Sequence, residues 1–292
     1  MTAAARSALL ADFSLGMTGK EVGELERARA IIPPGTRVHV GFVDSEDLAT
    51  RLGAARAVKR SGLVPVPIIA ARRLRSEKML REYLSGLRAS DASDCVLVVA
   101  GDPAQPRGPY PDAASVIGSG LLEDHGVREA SVAGHPGGHP AVADRVLLPA
   151  LAGKAATLEL RGLGGSVVTQ FGLDAALVLA WLADLRAHGI GLPARVGVPR
   201  PAVVRRLLAY ASRCGVAVSA PVAREYGFSL TDLTGTAAPD QFIRDLASGY
   251  DQRLHGAVKL HFNAFGGFAA TAQWISRFRG RHATEDSRSG PS

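Results

Sequence analysis

The chain has 292 residues, 47% of them hydrophobic and 21% charged, enough to bury a large core within one domain. Its net charge of +7 comes from 34 basic against 27 acidic residues spread without a dense block, and aromatic residues make up only 5%. This favours an anionic small ligand and argues against nucleic acid, because no basic stripe interleaved with aromatic rings is present.

Other global features are equally plain. No apolar run approaches the roughly 18 residues of a membrane span, and residues 1–11 lack the basic start and long apolar centre of a signal peptide. Cys95 and Cys214 belong to no CxxC pair, so reduced thiols in a soluble, cytoplasmic protein without a membrane partner are expected.

Short β-branched or apolar runs alternate with segments of helical apolar spacing along the chain. A faint strand at 12–15 precedes a helix at 20–32. A strand at 37–43 leads to a helix at 45–61, with Asp44 and Ser45 as candidate caps. Strands at 64–70 and 95–100 flank a charged helix at 76–88. The fifth strand is 129–133, and a helix through Lys154 separates it from the sixth at 166–170. A helix at 174–188, a strand at 194–198 and a helix at 202–214 follow, then an excursion over 217–236. A helix at 239–253, an eighth strand at 258–263 and a helix at 267–279 complete the pattern. The polar stretch 280–292, with Gly290 and Pro291, is expected to be a disordered tail.

Eight strands alternating with helices predict parallel pairing closed into a (β/α)8 TIM barrel, a single domain over 1–279. An open doubly wound sheet would place a glycine-rich phosphate loop after its first strand. Residues 15–19, Leu-Gly-Met-Thr-Gly, match neither GxGxxG nor GxxxxGK[ST].

In such a barrel, chemistry sits where the strands run out into their following loops. Those positions carry Gly16, Asp44, Glu46, Arg72, Asp102, His135, His139, Gln170, Arg200, Asn263 and Phe265. Residues 134–140, Gly-His-Pro-Gly-Gly-His-Pro, follow a strand directly and hold two imidazoles on an irregular backbone; they are either a site or simply a turn. Asp102 stands after an uninterrupted apolar run, where it either tunes a bound heterocycle or caps a turn before Pro103. Gln170 can donate and accept at once, which suits a heterocycle edge as well as a satisfied loop amide. His135 and His139 are four apart, but two prolines exclude the helix that would put both on one face, so no metal site is expected. There is no GxSxG elbow and neither cysteine ends a strand beside a histidine, leaving nucleophilic hydrolysis without support.

Taken together, Val-Val-Ala-Gly-Asp at 98–102, Val-Ala-Gly-His-Pro-Gly-Gly-His-Pro at 132–140 and Val-Thr-Gln-Phe-Gly-Leu-Asp at 168–174 resemble the flavin-dependent methylenetetrahydrofolate reductases. The similarity extends to 195–199 and 261–274, and so covers most of 13–274. It implies a (β/α)8 barrel that binds FAD and interconverts 5,10-methylene- and 5-methyltetrahydrofolate, with NADH or NADPH as co-substrate. Tetrahydrofolate derivatives are then its partners, and a homo-oligomer is compatible with the family's habit.

By the same resemblance, Ala100, Gly101, Ala133, Gly134 and His135 would run along the flavin, His139 would reach its ribose and phosphates, and Lys154 its diphosphate. Asp102 would lie by flavin and pterin, with Gln170 and Phe265 on the substrate. The chain departs from the family at three positions: Gly16 replaces the strand-one Glu, Ile68 the strand-three His, and His135 a Tyr. Asp44 and Glu46 are the candidate substitutes for the missing acid, Glu46 being the catalytic candidate. The departures also leave open direct hydride transfer from nicotinamide without flavin, or a catalytically impaired folate- or flavin-binding member.

Overall fold

Valine-rich runs alternate side chains between two faces, and the chain uses that period to build a closed wall with an apolar exterior and a lumen that holds both an apolar cluster and polar side chains. The computed structural model describes residues 9–43, 45–213, 218, 220–226, 229–263 and 267–288. The barrel strands are β1 (Ser14–Met17), β2 (Arg37–Val40), β3 (Val64–Ala70), β4 (Cys95–Val99), β5 (Glu129–Gly134), β6 (Val167–Phe171), β7 (Ala194–Pro199) and β8 (Val258–Asn263). They pair in parallel in the cyclic order β1-β8-β7-β6-β5-β4-β3-β2, giving the expected single-domain (β/α)8 barrel.

Helices cover the outside: α1 (Val22–Ala28), α2 (Leu48–Arg60), α3 (Glu77–Ala89), α4 (Ala113–Ile117), α5 (Leu121–Asp124), α6 (Asp144–Leu160), α7 (Ala175–Ala187), α8 (Val204–Arg213), α9 (Ala220–Tyr226), α10 (Asp240–Gly249), α11 (Gln252–His255) and α12 (Phe268–Arg288). Outward residues such as Leu15, Val38, Val96, Val132, Val196 and Leu260 pack under them and are fully buried. A two-stranded antiparallel ribbon, Ala202–Val203 with Thr236–Ala237, closes the excursion between β7 and β8.

Capping explains where several helices begin. Asp47 accepts the Thr50 N–H at 2.7 Å and starts α2. This corrects the expected caps, Asp44 and Ser45, by one turn; Ser45 lies before the helix and Asp44 lies outside the described residues. Ser76 and Asp174 cap α3 and α7 in the same way. The helix expected over 239–253 is two: Tyr250 is extended and Asp251 caps α11 with its carboxylate on the Arg253 N–H. Two short helices, α4 and α5, lie between β4 and β5 where none was expected, the first opened by a capping box at Asp112. The last helix, expected to end at Arg279, continues to Arg288.

The seam between first and last strands is tied by side chains. Glu21 and Glu24 accept the backbone N–H groups of Phe268 and Ala269 at 3.1 and 3.0 Å, placing two carboxylates at the α12 N-terminus. Arg195 of β7 reaches the Asp12 carboxylate at 3.0 Å below β1.

Candidate functional site

A β-bulge aims the most distinctive polar group of the barrel mouth. Pairing of β6 with β7 shifts register between Val168 and Phe171. Inside the shift, Thr169 Oγ1 accepts the Gly197 N–H at 2.8 Å and donates to the Gln170 carbonyl at 2.6 Å, while Gly172 N–H bonds the Gly197 carbonyl at 3.0 Å. The extra residue turns Gln170 towards the strand ends. Only glycine fits at 197, because a Cβ there would stand 2.5 Å from the Gln170 carbonyl oxygen.

The loop after β5 lies against that amide. Its backbone makes two successive turns, with Gly138 N–H on the His135 carbonyl and Val142 N–H on the His139 carbonyl. Gly138 sits at φ +85°, where glycine is at ease. Gly134 leaves room for Trp181 of α7, whose ring would stand 2.6 Å from a Cβ at that position. His135 Nδ1 is buried without a hydrogen-bond partner, and burial, then the His139 and Lys154 charges, pushes its imidazole down to about 4. The His135 and His139 rings meet edge to face with centroids 4.9 Å apart. Pro136, Gly137, Gln170, Phe171, Leu173 and Leu177 line a cleft of about 170 Å³ between the β5 and β6 loops.

Asp174 lines the cleft itself, while Lys154 and Arg72 stand near the two histidines of the β5 loop. Lys154 of α6 reaches back to the Ala133 carbonyl at 3.5 Å, and burial lowers its ammonium below the ordinary lysine range. Among the described residues no carboxylate stands within salt-bridge reach of it. His139 accepts the Ala141 N–H on Nδ1 and feels the charges of Arg72 and Asp102. A partly dehydrated ammonium with a weak partner, beside an arginine and two imidazoles, suits a diphosphate.

The remaining predicted residues are placed differently. Asp102 follows Gly101, which takes φ +89°, and its side chain is 90% exposed, held by Arg73 at 2.9 Å. The Ala100 carbonyl accepts the Arg72 N–H at 2.8 Å. Glu46 is buried at 6% exposure, with Oε2 accepting the Gly19 N–H at 3.2 Å and Oε1 without a partner. It therefore stands against the loop that follows β1. Ile68 of β3 packs with Val66, Leu97 and Val168 inside the barrel. Phe265, like Asp44, lies outside the described residues.

Sequence reasoning missed what fills the lumen beneath β1. His39 of β2 and His261 of β8 project inward from the two strands that flank β1, and their rings lie 4.3 Å apart. Ser14 Oγ bonds His261 Nδ1 at 3.0 Å. Burial, then the Arg195 charge, lowers His261 to about 3; burial and His261 lower His39 well below its ordinary value. Both are therefore neutral imidazoles. The inward alternation of 37–40 and 258–263 is legible in the sequence, but that the two histidines meet depends on barrel closure.

No family model matches the chain. Its fold is similar to that of an uncharacterised Clostridium thermocellum protein whose structure binds two copies of 5-methyl-5,6,7,8-tetrahydrofolic acid. The TM-score is 0.61 at 8% identity, covering 92% of this chain and 95% of that one. A dihydropteroate synthase from Burkholderia cenocepacia aligns at TM-score 0.48 and 16% identity, over 94% and 93% of the two chains. A xylose isomerase domain-containing protein of Salmonella typhimurium aligns at 0.46 and 12%, over 94% and 97%. At 8% identity the likeness to the first of these speaks for the fold alone.

Proposed function

We propose that this chain binds a reduced folate at the carboxyl ends of its strands and acts as an oxidoreductase interconverting 5,10-methylene- and 5-methyltetrahydrofolate. The observation that carries the reading is the bulge-aimed Gln170 amide over a largely apolar cleft, with Lys154 and Arg72 close enough to the β5-loop histidines for their charges to lower them. Further support comes from the motifs at 98–102, 132–140 and 168–174 and from the fold neighbour that binds 5-methyltetrahydrofolate.

Each residue's contribution follows from its chemistry. The Gln170 amide, in the lining of the cleft, offers a donor and an acceptor to the pterin edge. Phe171, Leu173 and Leu177 exclude water from one wall of the cleft. Asp102 carries a carboxylate able to stabilise the cationic iminium form of the one-carbon unit, provided it turns inward from Arg73. Glu46 supplies a carboxyl group beside the β1 loop as the candidate acid. The residues present fit the diphosphate shared by FAD and the nicotinamide dinucleotides, with Lys154 and His139 holding it and Ala100, Gly101, Ala133 and Gly134 offering backbone with a methyl group or no side chain beside it. When bound, FAD would relay a hydride from NADH or NADPH to the one-carbon unit.

A second reading, direct transfer from nicotinamide to folate, is favoured by Gly16 and by the apolar Ile68, which leave the mouth without a strand-one carboxylate and a strand-three imidazole. Purified protein decides between them. A flavin absorbance with nicotinamide oxidation dependent on methylenetetrahydrofolate supports the first, and the same oxidation by colourless protein the second. Absence of folate-dependent nicotinamide oxidation would end both.

A further inference from the structure

Gly16 has no side chain, and it is partly exposed to solvent although it lies on the inner face of β1. A Cβ there would meet His261 Nε2 at 3.6 Å and its Cε1 at 3.8 Å, which is ordinary contact. The partly exposed Gly16 therefore sits within side-chain contact of the His261 ring, which is itself almost fully buried. Gly16 pairs in register with His39 on one side, while Ser14 pairs with His261 on the other, so both rings meet in front of β1.

The two rings differ in how they are satisfied. His261, 5% exposed, is held at Nδ1 by Ser14, and its Nε2 is the ring atom nearest Gly16. His39, 2% exposed, has no partner at Nδ1. A buried ring nitrogen without a partner costs on the order of 1–3 kcal/mol, so a neutral site of this kind favours a ligand that completes it. Charged ligands are disfavoured here, since Arg37 and Arg195 below the rings already hold Glu129 and Asp12.

We propose that His39 and His261, beneath the side-chain-free Gly16, form the floor of the ligand site and bind the polar edge of an uncharged nitrogen heterocycle. Under the folate reading, on which this rests, that edge belongs to the pterin, gripped from above by Gln170. The floor is specific for a heterocycle that both donates and accepts, because two neutral imidazoles present both polarities. Gly16 determines depth of entry; any larger residue would fill the space above the rings.

The test is equilibrium binding of 5-methyltetrahydrofolate to wild type, H261F, H261Q and G16V, with circular dichroism to check folding. H261F is expected to weaken binding about tenfold or more, as befits one buried hydrogen bond. H261Q, which keeps an amide at the same depth, should stay within about threefold, and G16V should abolish binding. Wild-type binding that both H261F and G16V leave unchanged overturns the floor while sparing the folate reading. A wild type that does not bind overturns both. Should H261F fail to fold, the side-chain nitrogen resonances of His39 and His261 in wild type decide: they shift on adding 5-methyltetrahydrofolate if the floor is used, and their constancy under saturation refutes it.

Discussion

Three imidazoles carry the sharpest single-residue consequences. His39, His135 and His261 are all lowered chiefly by burial, so each is neutral in the folded protein while its unfolded counterpart titrates near the ordinary 6.5. As pH falls below that value the unfolded chain takes up protons that the folded one refuses, so stability present above about pH 6.5 is lost towards the folded values, about 4 for His135 and about 3 for His261. Denaturant unfolding at pH 7 and pH 5 should show a fall of up to about 1.4 kcal/mol per pH unit per imidazole. Equal stability at the two pH values would contradict their assignment as buried and neutral. Lys154 is the other telling residue. Its lowered ammonium is offset only by a weak bond to Ala133, so Lys154→Met should leave the melting temperature nearly unchanged and weaken nicotinamide dinucleotide binding. Unaltered cofactor affinity in that variant would remove Lys154 from the site.

Among the elements, β6 is the one in which fold and site cannot be separated. Its bulge aims Gln170 and depends on Gly197 of β7, where a Cβ would collide with backbone and not with a flexible side-chain tip. Gly197→Ala should therefore cost stability on the order of 1–3 kcal/mol as the bulge re-forms, and should lower folate affinity together with it. A thermal melt and a binding curve identical to wild type would show that the bulge does not depend on glycine at 197. This feature was beyond sequence reading: Gln170 is visible at a strand end, but a register shift depends on the neighbouring strand. The strands themselves were largely legible, β3 and β8 to the residue, because their apolar runs are bounded by turn residues. Helix starts were less so. Asp44, Ser45 and Asp47 are all plausible caps in sequence, and only the backbone path shows that Asp47 meets the Thr50 N–H.

For the whole molecule, closure decides what the sequence could and could not reveal. Eight alternating units pointed to a barrel, and the mouth residues Gln170, His135, His139 and Lys154 were identifiable from strand ends and motif resemblance. The His39–His261 pair was not, since the two lie over two hundred residues apart and meet only when β1 is inserted between β2 and β8. The same seam is held by Glu21 and Glu24 on the first turn of α12. Glu21→Gln should lower stability by about 1–2 kcal/mol, as expected for loss of a charge-assisted bond to a helix N-terminus. The central claim is that the mouth of this barrel binds a reduced folate through Gln170. Calorimetric titration of the wild-type protein and Gln170→Ala with 5-methyltetrahydrofolate tests it most directly. Saturable binding to wild type, weakened about tenfold or more in the variant, is the predicted result; no heat of binding to wild type, or equal affinity in both proteins, would contradict it.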